Sequence, residues 1–301
     1  MDGYFVHIAN RLEKIRTAAD DRPSGILNEL KTWELWRAVL AEGIATLLFV
    51  FIGTMSAVGI VPVTDVTGNF VRIALAFGLM IAICIQMIGH VSGGHMNPAV
   101  SIAMAVAMEI SPTRALFYTI SQCIGAILGS LLLKGVSPST VHSNLGLTTI
   151  NSDISAGQGL ACELIFTLIL VTSIFGTTDP NRVLFGSPAL GIGLTVTVCH
   201  LAGIPFTGAS MNPARSLGSS VASDSFGYHW VYWVGPILGG ICAALIYKYV
   251  FSPYNNKMKM EDAAALMMSS NDMVAIPRSY YKDGSAPSFA VTNEKSESSQ
   301  F

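Results

Sequence analysis

Gly93-Gly94-His95-Met96-Asn97-Pro98-Ala99-Val100-Ser101 and Gly208-Ala209-Ser210-Met211-Asn212-Pro213-Ala214-Arg215-Ser216 align without a gap, 115 residues apart. Asn is a favoured N-cap, because its side-chain oxygen accepts one of the unpaired N–H groups of a first helical turn. Pro at the first helical position gives up no bond there. Each copy therefore predicts a helix start, one at Asn97 and one at Asn212. Both starts lie in strongly apolar sequence, where irregular backbone is tolerated only if it is buried in protein or faces a water-filled cavity. The pair predicts a pore.

Composition agrees. Hydrophobic residues make up 51% of the chain and charged residues 12%, against about 25% charge in an ordinary soluble domain, and mean hydropathy is +0.53. Lipid is the expected solvent. A net charge of −2 gives no basis for a nucleic-acid partner. Residues 1–37 are polar and mixed in charge, with no apolar core before Ala38, so no cleavable signal peptide is read there. The first span is expected to act as the insertion signal. Cys84, Cys123, Cys162, Cys199 and Cys242 all fall in apolar segments and read as buried thiols. No metal or cofactor is expected.

Apolar stretches long enough to cross the hydrocarbon, about 20 residues each, cover 36–60, 70–91, 113–134, 158–178, 187–204 and 229–251. The shorter runs 97–108 and 212–222 reach only about half a bilayer and predict half-helices entered through re-entrant loops. Lys and Arg crowd residues 1–37 and recur at Arg114 and Arg182, whereas the connections 61–69 and 135–157 carry none. Both termini are therefore expected in the cytoplasm. The organisation predicted is a segment 1–35, a channel domain 36–251 with repeats 36–134 and 158–251, and a tail 252–301.

The halves resemble each other widely. Ala74-Leu75, Gly78-Leu79 and Cys84 repeat as Ala189-Leu190, Gly193-Leu194 and Cys199 at 115, and Glu42 and Thr46 as Glu163 and Thr167 at 121. Gly125-Ala126-Ile127-Leu128-Gly129 echoes Gly235-Pro236-Ile237-Leu238-Gly239 at 110. Three crossings per half invert the second copy, so the fold predicted is an all-α membrane protein of six transmembrane helices plus two re-entrant half-helices in an inverted 3+3 repeat. The half-helix N-termini then meet at the midplane, each carrying about half a positive charge and unpaired N–H groups. If Asn97 and Asn212 cap with their oxygens, their amide NH2 groups point into the lumen as donors. A water accepting from both turns its hydrogens outward and interrupts a proton relay.

The paired Asn-Pro-Ala motifs (Asn97, Pro98, Ala99; Asn212, Pro213, Ala214), with Ala41-Glu42-Gly43, Ser92-Gly93-Gly94-His95, the run Thr207–Ser216 and Trp233-Val234-Gly235-Pro236, resemble the aquaporin (major intrinsic protein) family, most like its water-selective animal members. The resemblance covers about residues 36–251. It implies a homotetramer with one pore per subunit and passive osmotic water flow.

Arg215 lies one turn outward from Asn212, and a cation in a first helical turn is at the wrong end of the dipole, which points to function. His200, near the outer end of the fifth span, can share its depth. The resemblance makes Phe77, His200, Arg215 and Ala209 a narrow selectivity filter, with Arg215 and His200 donating hydrogen bonds. Relatives that conduct glycerol replace the His with a small residue and follow the Arg with Asp; this chain has His200 and Ser216. Ala209 stands where some relatives have Cys, and Ser220 where Ala is common.

Glu42 and Glu163 are expected to brace the re-entrant loops by accepting their N–H groups, with His95 lining or supporting the inner vestibule. Gly78, Gly125, Gly129, Gly193, Gly235 and Gly239 are expected to permit close helix packing. The tail reads as mostly disordered, with a short helix at Met258–Met268 and a candidate phosphorylation site at Ser279. Two other readings are a broader channel passing glycerol, urea or peroxide, and a proton-coupled transporter using Glu42, Glu163 and His95. The plasma membrane is the expected location.

Overall fold

The computed structural model describes residues 26–60, 64–179 and 186–252. The expectations for residues 1–25, Arg182, Met258–Met268, Ser279 and the rest of the tail lie outside them. Every regular element among the described residues is helical. In chain order these are α1 (Ile26–Leu30), α2 (Trp33–Ala57), α3 (Val66–Ser92), α4 (Pro98–Val106), α5 (Pro112–Val136), a 3-10 turn (Ser139–Val141), α6 (Ala156–Thr178), α7 (Pro188–Thr207), α8 (Pro213–Ser223) and α9 (Val231–Ile246). A π-helical turn, Tyr247–Phe251, continues α9. Six of these, α2, α3, α5, α6, α7 and α9 with its π turn, are long and apolar enough to cross a membrane. Helices α4 and α8 are the half-length pair, with 9 and 11 residues.

Local chemistry sets the ends. Side chains of Thr32, Asp65, Ser111, Ser155 and Ser187 cap the N-termini of α2, α3, α5, α6 and α7, and Ser155 forms a reciprocal capping box with Gln158. The first span starts at Trp33 rather than 36 because Thr32 supplies that cap. Helix α7 continues past 204 through Pro205 to Thr207 and stops at Gly208, which takes the left-handed conformation (φ 77°).

The packing is doubled. Helix α2 packs on α5 as α6 packs on α9, α2 on α3 as α6 on α7, and α5 on α8 as α9 on α4; α3 and α7 pack on each other. At that last contact a Cβ on Gly78 would lie 2.4 Å from the Gly193 carbonyl oxygen, and one on Gly193 2.4 Å from that of Gly78. Any larger residue would force the helices apart.

The contacts correct one alignment. A Cβ on Gly125 would lie 2.2 Å from the Gly43 carbonyl oxygen, and one on Gly239 2.2 Å from that of Leu164. Gly43 and Leu164 are equivalent in the 121-residue register of Glu42 and Glu163. Helices α5 and α9 therefore correspond at 114 residues, one helical turn from the 110 of the Gly-rich echo. A slide of four residues keeps the same helix face, so composition cannot separate the two registers and only contacts do. The cysteines also differ from expectation. All five are free, but only Cys84 and Cys199 are buried, while Cys123, Cys162 and Cys242 are partly exposed.

Candidate functional site

The re-entrant loops reach the middle of the molecule because two carboxylates hold them there. Glu42 Oε1 accepts from Ser92 Oγ (2.6 Å) and His95 N (2.8 Å), and Oε2 from Met96 N (2.5 Å) and Gln122 Nε2 (2.8 Å). Glu163 Oε1 accepts from Thr207 Oγ1 (2.7 Å) and Ser210 N (2.9 Å), and Oε2 from Met211 N (2.7 Å). Both carboxylates are fully buried, where each of these N–H groups would otherwise lack a partner. Met96 and Met211 take left-handed backbone angles (φ 50° and 54°), which cost about 1–3 kcal/mol each and persist only because such bonds over-determine the loop. Tyr118 and Tyr232, 114 residues apart, complete the seats by donating to the carbonyls of Ser92 and Thr207 at 2.9 Å.

Asn97 and Asn212 cap α4 and α8. Asn97 Oδ1 accepts from Ala99 N (2.9 Å), and Asn212 Oδ1 from Ala214 N (3.0 Å) and Arg215 N (3.2 Å). Their amide nitrogens are not wholly free, contrary to the sequence expectation. Asn97 Nδ2 donates to Met211 O (2.7 Å) and Asn212 Nδ2 to Met96 O (2.8 Å). Each NH2 carries two hydrogens, so one ties the opposite loop and one remains. The reciprocal bonds hold the two tips together. Both asparagines border a cavity of about 250 Å³, which reaches His200 in one direction and His95, Thr178 and Pro188 in the other. His95 Nδ1 pairs with Ser101 Oγ at 3.1 Å. The cavity wall is otherwise mainly aliphatic, with Ile81, Leu170, Ile192 and Val196 among its residues.

At the His200 end the structure brings three of the expected residues into contact. The Phe77 and His200 rings stack with centroids 4.6 Å apart, and Arg215 Cζ lies 4.9 Å from the Phe77 centroid. His200 borders the cavity. Phe77 and Ala209 have no exposed surface, and Arg215 has 3%. Ala209 is held by its N–H on Thr207 Oγ1 (3.1 Å) and would be 2.9 Å from a Cβ on Gly203. His200 differs from expectation in its hydrogen bonding. Its Nδ1 lies 3.0 Å from Val196 O; a carbonyl only accepts, so the proton is on Nδ1. In the neutral ring Nε2 is then an acceptor rather than a donor.

Two residues escaped the sequence reading. Gly146 and Thr148, in the connection between α5 and α6, complete this end. Gly146 O accepts from Arg215 Nη1 at 2.6 Å, with Ser219 Oγ a further partner at 3.2 Å. Thr148 Oγ1 meets Ser216 Oγ (2.8 Å), which meets Ser210 Oγ (2.6 Å). Gly146 adopts φ 68°, and a Cβ there would lie 2.8 Å from that of Thr54. The available signal was a lone Gly after Asn144, whose side chain accepts from Leu147 N (3.1 Å) in a turn. No carboxylate pairs with Arg215; the ion pair found among the described residues is Arg114–Glu29 (3.3 Å). The guanidinium is buried beside the His200 end of the cavity, held by the Gly146 carbonyl and Ser219 rather than by an ion pair.

Six crossing helices, two half-helices meeting tip to tip and a narrow cavity past the tips define a multi-pass membrane channel. The chain belongs to the major intrinsic protein family, the aquaporins: the Major intrinsic protein family model matches residues 29–247. Aquaporin-4 of Mus musculus is 46% identical over 229 residues (74% of this chain, 69% of that protein). Aquaporin-1 of Homo sapiens is 45% identical over 237 residues (77% and 88%). Aquaporin-5 of Ovis aries is 46% identical over 233 residues (77% and 86%). A solved structure, that of the aquaglyceroporin from Plasmodium falciparum, superposes with a TM-score of 0.66 at 26% identity, covering 73% of this chain and 98% of that one. The chain is thus a passive channel and not an enzyme.

Proposed function

We propose that this channel is water-selective, carries water down osmotic gradients and excludes ions and protons. The observation that supports selectivity most is the stack of His200 on Phe77 with Arg215 over the same ring, beside Ala209. His200 Nε2, an acceptor, and Arg215 Nε, a donor, are buried nitrogens without protein partners, and in this reading a water passing in single file bonds to them in turn. Glycerol needs a wider bore than this packing leaves. Cations meet the Arg215 charge first and then the positive ends of α4 and α8.

The remaining N–H of Asn97 and of Asn212 orients each water as it crosses the midplane. Glu42 and Glu163 act as braces, and their full set of hydrogen bonds leaves little capacity for a proton relay. In this reading the protein is a homotetramer of the plasma membrane with both termini in the cytoplasm, so Arg215 lies on the outer side of Asn212. Light-scattering stopped flow on reconstituted vesicles tests it, first with an impermeant osmolyte and then with glycerol. Water permeability well above that of protein-free vesicles, with glycerol entry at the protein-free level, is expected. Glycerol entry comparable to water would overturn selectivity in favour of the broader channel.

A further inference from the structure

We propose that Lys134 and Lys248 are a matched pair of positioning residues that cap the carbonyl ends of the two half-helices and sharpen the channel's discrimination against cations. The inference rests on the reading of the chain as an ion-excluding water channel.

The two lysines occupy the same place in the doubled fold. They are 114 residues apart, the register that the Gly125 and Gly239 contacts and the Tyr118 and Tyr232 bonds establish for α5 and α9. Lys134 Nζ, in the last turn of α5, donates to the carbonyl of Ala222 at 2.7 Å. Lys248 Nζ, in the π turn after α9, lies 3.5 Å from the carbonyl of Ala107. Ala107 and Ala222 are themselves equivalent in the 115-residue register of the half-helices. Each lysine therefore reaches across to the half-helix of the other repeat, at its negative end.

These ends close by the same turn, displaced by one residue from the 115 register, so that the closing residues are 116 apart. Met108 (φ 66°) and Asp224 (φ 51°) turn the chain in the left-handed region. Glu109 N then reaches back to Met104 O (2.9 Å) and Ser225 N to Ser220 O (3.0 Å), which satisfies one orphan carbonyl in each helix. The carbonyls of Ala107, one residue before its left-handed turn, and of Ala222, two residues before its own, lie in the last turn of each half-helix, and the lysines reach them. Among the described residues neither lysine has a carboxylate within ion-pair distance. Both are partly buried, whereas a lysine that only reaches for lipid headgroups would point away from the protein.

The consequence for permeation is electrostatic. A half-helix presents its positive end to the pore, and its own negative end partly cancels that field. An ammonium on the far carbonyl removes the cancellation and adds its own charge about 16 Å from the midplane for an 11-residue helix. At an effective dielectric near 20, one unit charge at that distance changes a cation's occupancy of the midplane by about fivefold. Solvent screening at the partly exposed amines lowers this to about threefold.

The test uses the full-length protein in a background that carries His200→Ala and Arg215→Val, where the outer barrier is removed and the midplane limits cation flux. Cation current and osmotic water permeability are measured in the same cells, normalised to surface protein. Adding Lys134→Met and Lys248→Met together is expected to raise the current about tenfold at a water permeability within twofold. Adding Lys134→Arg and Lys248→Arg, which keep charge and donor, should leave it within twofold of the background. A current unchanged by the Met pair, including no current in either protein, overturns the proposal, and so does an Arg pair that behaves like the Met pair. If the paired Met variant does not reach the surface, the single variants decide, each expected at about threefold. Failure of the underlying reading shows separately, as no water permeability in the unmodified protein.

Discussion

At the scale of single residues, the re-entrant loops depend on buried carboxylates whose oxygens are supplied with donors. Glu163 shows the logic. Its two oxygens accept from Thr207, Ser210 and Met211, and Gln in its place sets an NH2 against donors that already point there. Glu163→Gln is expected to destabilise the fold by about 2–4 kcal/mol, read as a lowered unfolding midpoint in detergent; an unchanged midpoint would remove the brace. Replacing His200 and Arg215 with small residues should instead leave stability near the parent and admit glycerol and urea to reconstituted vesicles. Continued exclusion of both solutes by that double variant would remove the filter assignment. His229 carries a pH prediction. Trp233 Nε1 donates to its Nε2 (3.1 Å), and its Nδ1 lies 3.2 Å from Ser220 Oγ, with the Phe226 ring edge-on to it (5.3 Å). Burial holds its pKa below the ordinary imidazole range. The unfolded chain, with His near about 6.5, then binds more protons than the folded one below that pH, so stability falls as pH drops. Unfolding midpoints should decrease between about pH 7 and pH 5, and His229→Gln should flatten that part of the dependence.

Elements show what the sequence discloses and what it withholds. The two half-helices and their caps were legible because Asn-Pro is a local signal: the cap, the missing N–H and the apolar run lie within ten residues. The braces were legible as a pair because Glu42 and Glu163 repeat in register and burial of a carboxylate requires donors. The cross-bonds from Asn97 to Met211 and from Asn212 to Met96 were not, since they join loops more than 110 residues apart and depend on how closely the tips approach. Gly146 was hidden for the same reason, as a backbone carbonyl carries no side-chain signature. The register of α5 against α9 was misread by one turn, because Gly125 and Gly129 match Gly235 and Gly239 equally well on a helix face. Contacts separate the residues again. Gly125→Val and Gly239→Val should each block the α2–α5 or α6–α9 approach and abolish surface expression, given backbone oxygens 2.2 Å from a Cβ. Gly135→Val, with nothing within 4 Å, should express like the parent.

At the scale of the whole molecule, the inverted repeat turns two weak helix ends into one barrier. Each tip has about half a charge, and on the proposed function their facing arrangement beside a largely aliphatic cavity is what admits neutral water and opposes charge. That account is tested most directly by measuring water and proton flux in one preparation: vesicles bearing the purified protein, with an entrapped pH-sensitive dye, mixed with an impermeant osmolyte in stopped flow. Fast shrinkage with low activation energy, and an internal pH that follows an imposed gradient no faster than in protein-free vesicles, is the predicted result. Proton entry that rises with protein content, or shrinkage no faster than that of bare lipid, would contradict it.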